Sequence, residues 1–141
     1  MLEKAIALAA MGHEGQMDKG GQPYILHPIR VMLQCETTEQ KIVAMLHDLL
    51  EDTDITEEEL RQAGFVENVV EAVLLLTKKE GEDYTAYIDR ICQNSLAARV
   101  KLADLMDNMD LNRLPGLTQK DFQRLEKYLR AKSRVEQALR K

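Results

Sequence analysis

The densest group of side chains that can do chemistry lies near the end of the third predicted helix. It consists of His47, Asp48, Glu51 and Asp52. A helix turns by about 100° per residue, so in one continuous helix these four side chains share an arc of roughly 140°. The opposite arc is apolar and contains Ile42, Met45, Leu46, Leu49 and Leu50. An imidazole and three carboxylates on one face can bind a cation or transfer protons. A solvated acidic face is the alternative interpretation.

A metal site would need ligands beyond His47 and Asp48, because these neighbours supply only two. His27 is one candidate. It precedes Pro28, and a residue before proline favours an extended backbone, here at the start of a helix. A lone histidine in that place is more often a helix cap or a core residue, which is the alternative. Two imidazoles with two carboxylates suit Mn²⁺, Fe²⁺ or Zn²⁺, with water in any open position.

A later predicted helix carries a second polar stripe. Lys101, Asp104 and Asn108 follow one another at i, i+3 and i+7, so their side chains lie on one face. Asp104 is therefore a candidate for a further carboxylate ligand. The alternative is an exposed stripe, in which a lysine–aspartate pair adds little stability.

Composition limits the class of protein. The chain has 141 residues, of which 45% are hydrophobic, enough for one folded domain over residues 1–141. Its net charge of −5 disfavours a nucleic-acid binder, which needs a basic surface, whereas a small anionic substrate would need a local cation. There is no secretion signal, no apolar run of membrane-spanning length and no disulfide framework from Cys35 and Cys92. These observations predict a cytoplasmic protein with free thiols and no membrane partner.

The elements that must position these residues are all predicted to be α-helices, since no alternating β-branched run of useful length occurs. We predict helices over about Leu2–Gly12, Pro28–Leu33, Thr38–Leu50 or a turn beyond, Thr56–Gly64, Val66–Leu76, Glu82–Cys92 and Leu96–Asn112, and a last one after Thr118. Capping signatures are Thr37 with Gln40, Thr56 with Glu59, and Thr118 with Asp121.

The last predicted helix has an apolar face formed by Phe122, Leu125, Tyr128 and Leu129. We therefore expect a lid or packing helix that has no chemistry of its own.

Four motifs in order give the chain a resemblance to a known family. They are Gly12-His13-Glu14-Gly15-Gln16, Gly21-Gln22-Pro23-Tyr24-Ile25-Leu26-His27-Pro28, Leu46-His47-Asp48-Leu49-Leu50-Glu51-Asp52-Thr53 and Val100-Lys101-Leu102-Ala103-Asp104. The sequence resembles the HD-domain hydrolases of the RelA/SpoT alarmone family, especially the small stand-alone members. The match covers about three quarters of the chain and leaves no room for the family's synthetase and regulatory domains.

The resemblance implies a helical HD-domain bundle with one divalent metal ion, usually Mn²⁺. It implies His27, His47, Asp48 and Asp104 as metal ligands, and Glu51 and Asp52 as the pair that positions the attacking water and assists proton transfer. The implied reaction removes the 3′-pyrophosphate of guanosine tetra- or pentaphosphate. Candidate substrate-binding residues are Lys19, Lys101 and Asn108, with the two lysines acting as point charges for phosphate.

Four positions differ from the family pattern and leave the substrate open. Asp18 and Leu105 stand where the family has basic residues, and Asp110 and Leu111 replace a basic residue and a threonine. An acidic residue at position 18 would repel a polyphosphate unless it is turned away or neutralised. Two alternatives therefore remain: an HD phosphohydrolase acting on another nucleotide, and a metal- or nucleotide-binding module without catalysis. Self-association also remains open.

Overall fold

The computed structural model describes all 141 residues and confirms the all-α prediction. Nine α-helices and one short 3-10 helix, at Leu111–Arg113, make up the chain. The α-helices are α1 (Leu2–Gly12), α2 (Leu26–Leu33), α3 (Thr38–Leu46), α4 (Leu49–Asp52), α5 (Glu57–Gln62), α6 (Glu67–Leu76), α7 (Tyr84–Ile91), α8 (Ser95–Asn108) and α9 (Gln119–Leu139). None of these helices has both the length and the hydropathy needed to cross a bilayer.

Helices α3 and α8 form the centre of the bundle. Helix α3 packs against α1, α2, α6 and α8, and α9 lies along α7 and α8. The core contains 26 buried hydrophobic residues, including every residue from Ile42 to Leu46. Burial of this much apolar surface is the main force that holds the helices together. Polar side chains at the ends of α3 and along α8 are therefore carried into the interior.

The capping signatures at the helix starts are confirmed. Thr37 and Gln40 make a reciprocal capping box at α3, and Thr118 and Asp121 make another at α9. The Thr56 hydroxyl accepts a hydrogen bond from the backbone N–H of Glu59 at the start of α5. Caps of this kind fix where a helix begins, each by about 1 kcal/mol.

The third helix is shorter than predicted, because it is interrupted at His47 and Asp48. Helix α3 ends at Leu46, and the separate helix α4 begins at Leu49. The His47 Nδ1–H donates to the carbonyl oxygen of Ala44, and the Asp48 carboxylate accepts from the Tyr24 hydroxyl. The prediction of one continuous helix to Leu50 is wrong, since a local backbone carbonyl binds the His47 side chain and the distant Tyr24 binds that of Asp48 at the interruption.

Other helix boundaries differ by a few residues. Helix α2 begins at Leu26, so Pro28 is its third residue and not its first. Proline is tolerated there because the N–H groups of the first turn have no partner within the helix. The helix predicted to run to Asn112 ends at Asn108 and is followed by the 3-10 helix.

The apolar face predicted for the last helix is only partly buried. Phe122 and Leu129 are 49% and 50% exposed, whereas Ala131 and Val135, on the second half of α9, lie in the core. The first half of α9 contributes Arg124 and Tyr128 to the wall of a cavity. The helix thus packs through its second half and borders a cavity through its first half, and both features fit the expectation of a lid or packing helix.

The loop between α1 and α2 is closed by its own polar contacts. A single antiparallel bridge joins Met17 to Pro23, and the Asp18 carboxylate accepts hydrogen bonds from the backbone N–H groups of Gly20 and Gln22. Gly20 lies directly against the carbonyl oxygen of Arg113, with no space for a Cβ atom. The loop is thus held against the 3-10 helix.

Replacing Gly20 tests this close approach. We expect Gly20→Ala to lower the free energy of unfolding by about 1–3 kcal/mol, because the added methyl group clashes with backbone. Gly116→Ala is the matched control, since a Cβ at Gly116 meets no atom within 4 Å. Urea unfolding of both variants gives the comparison. Equal stability of the two variants would contradict the packing described for the loop.

Candidate metal centre

Three potential metal ligands from distant parts of the chain converge in the interior. The Nε2 atom of His27 lies 2.8 Å from Asp104 Oδ1, and the Nε2 atom of His47 lies 3.3 Å from the same oxygen. His27 is on α2, His47 follows α3 and Asp104 is on α8. All three side chains are buried, and their donor atoms lie within 4.8 Å of one another.

Asp48 completes the group that the sequence resemblance implied. Its Oδ2 atom lies 3.1 Å from His47 Nε2 and 3.7 Å from His27 Nε2, and it accepts a hydrogen bond from the Tyr24 hydroxyl. We call His27, His47, Asp48 and Asp104 the donor cluster. Two adjacent residues can face one point here because the helix is interrupted between α3 and α4.

The outer nitrogen of each imidazole is bound to an acceptor that fixes the ring. His27 Nδ1–H donates to Asp107 Oδ2 at 2.6 Å, and His47 Nδ1–H donates to the carbonyl oxygen of Ala44 at 2.5 Å. Donation from Nδ1 leaves Nε2 free as a ligand. Histidine ligands of metal ions are held in this way in proteins generally.

Asp107 was not singled out in the sequence, although it lies three residues after Asp104. Arg30 binds its carboxylate through Nε at 2.8 Å and Nη2 at 3.2 Å. Burial raises the pKa of Asp107, but the hydrogen bonds from His27 and Arg30 outweigh it and lower the pKa to about 2. Asp107 therefore stays ionised and holds the outer nitrogen of His27.

The electrostatics of the donor cluster favour a cation at its centre. Burial disfavours protonated His27, but hydrogen bonds to Asp104 and Asp107 outweigh this effect and raise its pKa to about 9. Burial likewise opposes ionisation of Asp48, and the neighbouring His47 nonetheless lowers the pKa of Asp48 to about 2. The ionised carboxylates are thus stabilised by positive charge placed next to them. Two imidazole nitrogens and two carboxylates are a donor set that fits a divalent transition metal.

Lys101 and Asn108 both contact Asp104. The Lys101 ammonium lies 2.8 Å from Asp104 Oδ2, and Asn108 Nδ2 donates to Oδ1 at 3.3 Å. Lys101 is buried, with its ammonium 5.2 Å from the centroid of the Tyr87 ring. Burial alone would lower the pKa of Lys101, but the charge of Asp104 outweighs burial and raises it. Asp104 therefore presents one oxygen to the imidazoles and the other to a lysine.

Glu51 and Asp52 lie on α4, immediately after the donor cluster. Glu51 Oε1 accepts a hydrogen bond from the Lys78 backbone N–H at 2.9 Å. Asp52 is exposed at its side chain, and Gln16 Nε2 donates to its backbone carbonyl oxygen. Partial burial, with repulsion from Asp48 and Glu51, raises the pKa of Asp52 to about 6.

Two cavities border the donor cluster: all four of its residues line one of them, and His27 also lines the other. The first, which we call the Arg124 cavity, has a volume of about 430 Å³ and is lined by Lys19, Arg30, Arg113 and Arg124 among others. The second, the Lys127 cavity, has a volume of about 470 Å³ and is lined by His47, Asp48, Glu51, Lys78, Tyr84 and Lys127 among others. Both are bordered by Tyr24, His27, Asn108 and Tyr128. Clefts of this size accommodate small molecules.

The structure shows what surrounds each of the four residues that depart from the family pattern. The Asp18 carboxylate is occupied by the backbone of its own loop, and Leu105 is in the core. Asp110 binds Arg113 at 2.9 Å, and Leu111 lines the Arg124 cavity. Lys19 also lines this cavity without an ion-pair partner; burial and then Arg124 lower its pKa.

Comparison with known proteins identifies relatives of this arrangement. No protein-family model matches the chain. It is 34% identical over 126 residues to a GTP pyrophosphokinase of Myxococcus xanthus, and 34% identical over 120 residues to guanosine-3′,5′-bis(diphosphate) 3′-pyrophosphohydrolase of Aquifex aeolicus. It is 33% identical over 124 residues to the bifunctional (p)ppGpp synthase/hydrolase SpoT of Escherichia coli K12. Each match includes 77% of this chain but only 17% of the relative.

A solved structure resembles the chain over nearly its whole length. It is that of a metazoan ortholog of SpoT that hydrolyses ppGpp and plays a role in starvation responses. The TM-score is 0.76 at 26% identity, and the match covers 99% of this chain and 85% of that one. With the four motifs and the donor cluster, these similarities show that the chain belongs to the HD-domain hydrolases of the RelA/SpoT alarmone family.

Proposed function

We propose that residues 1–141 form a single metal-dependent phosphohydrolase domain that removes the 3′-pyrophosphate of guanosine tetra- or pentaphosphate. The observation that carries the proposal is the convergence of His27, His47, Asp48 and Asp104 on one cavity, while His27 also lines a second. Relatives named as ppGpp pyrophosphohydrolases support the substrate.

The donor cluster would hold the metal, and we favour Mn²⁺ because its nitrogen and oxygen donors suit that ion. A divalent ion at this centre would neutralise phosphate charge and make water a better nucleophile. The chain's own part is to fix the ligands: Asp107 and Ala44 hold the two imidazoles, and Lys101 holds Asp104.

Glu51 and Asp52 would serve the attacking water. A carboxylate with a pKa near 6, as at Asp52, is still ionised at neutral pH and is a stronger base than an ordinary aspartate. The water oxygen would bond to the phosphorus next to O3′ while Asp52 accepts the proton that the water loses; the P–O3′ bond would break, and O3′ would take up one proton to become a hydroxyl. The products are pyrophosphate and GDP or GTP.

The Arg124 cavity would receive the rest of the nucleotide. Lys19 has no carboxylate partner there and is free to bind a 5′-phosphate, whereas Asn108 borders both cavities and can orient the ribose. Asp18 does not oppose this role, because backbone N–H groups already bind its carboxylate.

Product analysis tests the proposal directly. Purified protein with Mn²⁺ is incubated with guanosine tetraphosphate, and GDP and pyrophosphate are quantified. We expect stoichiometric release of both, and a loss of at least about 10³-fold in rate for His47→Gln or Asp48→Asn, since several kcal/mol of transition-state stabilisation depend on the metal. Calorimetry with Mn²⁺ shows whether each variant has lost the ion. Full turnover by Asp48→Asn in the presence of a chelator would refute the assignment.

Asp107 provides a test of the support behind the ligands. We expect Asp107→Ala to weaken Mn²⁺ binding by roughly 10–100-fold, because His27 loses the acceptor that fixes its ring. Asp110→Ala is the control: this aspartate is exposed, lies three residues away and binds only Arg113 and its own turn. Titration calorimetry measures both dissociation constants. If the two variants bind Mn²⁺ equally well, Asp107 does not support the site.

The pKa of Asp52 predicts how activity depends on pH. Asp52 must be ionised to accept a proton, so kcat/KM falls as the pH drops through about 6. The charges around Asp52 are Asp48 and Glu51, which raise this pKa, and His47 and His27, which lower it. A bound cation also lowers it, which places the acidic limb at or below pH 6.

The pH profile is measured at saturating Mn²⁺ for the native protein, Asp52→Asn and Glu51→Gln. We expect the limb to disappear only in Asp52→Asn. An unchanged limb in that variant would assign the titration to another group.

A further inference from the structure

The wall of the Lys127 cavity includes a tyrosine whose hydroxyl has no partner. The Tyr84 oxygen is buried and makes no hydrogen bond within the chain. Its ring lines the same cavity as the donor cluster. A buried polar group without a partner costs about 1–3 kcal/mol, so such groups in native proteins usually await a water or a ligand. A ligand in this cavity would therefore meet a free hydrogen-bond donor.

The ammonium group of Lys127, which has no ion-pair partner, lies beside Tyr84. Lys127 Nζ is 4.5 Å from the centroid of the Tyr84 ring and 5.4 Å from that of Tyr128. Contact with aromatic faces holds a cation in place and leaves its N–H donors available. No carboxylate lies within ion-pair distance of Lys127, in contrast to Lys101, which binds Asp104.

Lys78 supplies a second ammonium group to the same wall. Its backbone N–H binds Glu51, and its side chain lines the cavity without an ion-pair partner. The acidic residues nearby are already occupied. Glu82 binds Arg90 at 2.8 Å, and Asp83 caps the start of α7 by accepting from the Ala86 N–H. The wall therefore presents positive charge and hydrogen-bond donors that the protein itself does not satisfy.

Crowding of like charges supports the same conclusion. Partial burial, followed by repulsion from Lys101, Arg124, Lys78 and Lys19, lowers the pKa of Lys127. An anion bound between these groups would relieve that repulsion. The donor cluster lines the same cavity, so an anion with two charged groups can contact both the cluster and these residues.

We propose that Tyr84, Lys127 and Lys78 form a binding subsite for the terminal phosphate of the pyrophosphoryl group, while the donor cluster takes the phosphate that is attacked. The inference rests on the proposed function and adds a basis for specificity. A 3′-pyrophosphate reaches the subsite, whereas a 3′-monophosphate does not. The subsite thus selects diphosphates over monophosphates at the 3′ position.

Binding of a diphosphate analogue tests the subsite without turnover. Mn²⁺-loaded protein is titrated calorimetrically with methylenediphosphonate, in which a methylene group replaces the bridging oxygen. We expect Tyr84→Phe and Lys127→Gln each to raise the dissociation constant about tenfold or more, and Lys78→Gln to raise it severalfold. Phenylalanine keeps the ring under Lys127, so the first variant removes only the hydroxyl.

Matched controls separate local contacts from overall charge. Lys79→Gln removes the neighbouring exposed lysine, and Lys120→Gln removes an exposed lysine on α9. Both should bind the analogue as the native protein does, and all variants should retain the native Mn²⁺ affinity. If Tyr84→Phe and Lys127→Gln bind the analogue as tightly as these controls, the subsite does not exist.

Kinetics distinguishes this inference from the proposed function. If the native protein binds the analogue through these residues but leaves guanosine tetraphosphate intact, the subsite stands and the proposed substrate is wrong. If the native protein hydrolyses guanosine tetraphosphate and the Tyr84 and Lys127 variants retain its kcat/KM, the subsite is wrong and the function stands. Loss of kcat/KM for the 3′-pyrophosphate, with unchanged activity on a 3′-monophosphate, supports both.

Discussion

The structure depends on how the negative charges of two inward-facing carboxylates, those of Asp104 and Asp48, are compensated. Asp104 lies in the interior between two imidazoles and a lysine, and Asp48 is partly buried beside the same imidazoles. Ionised carboxylates are costly in an apolar core unless they are paired and hydrogen-bonded. Both oxygens of Asp104 and the Oδ2 atom of Asp48 contact cationic or polar partners, and Asp107 and Ala44 accept hydrogen bonds from the outer nitrogens of the two imidazoles. The divalent cation that we propose for this cluster would complete the compensation of its negative charge.

The fold supplies the compensation by bringing together elements that are far apart in sequence. Residues 27 and 104 are separated by 77 positions, and residues 47 and 104 by 57. Packing of α2 and α3 against α8 is what places them side by side. The apolar residues of α3 provide the driving force, and His47, which follows α3 directly, contacts Asp104 on α8. Stability and site geometry therefore depend on the same helix.

Much of this arrangement could be predicted from the sequence, and the remainder depends on contacts across the fold. The capping signature at Thr37 defined the start of α3, because a cap is a local interaction. The motif around His47 and Asp48 identified the donor cluster through its resemblance to a family. The interruption at those two residues could not be predicted, since it involves Tyr24, which lies 24 positions away from Asp48. The position of Lys127 in a cavity wall could not be predicted either, because the sequence does not distinguish a lysine in a cavity from a lysine in solvent.

The contact of His27 with both cavities also bears on how the products of the proposed reaction would leave. Under that proposal, cleavage would leave the nucleoside portion in the Arg124 cavity and the diphosphate in the Lys127 cavity. The two fragments would then be held by different sets of residues. The order of departure would depend on how tightly each cavity holds its fragment, and the slower departure would limit how soon the next molecule can enter.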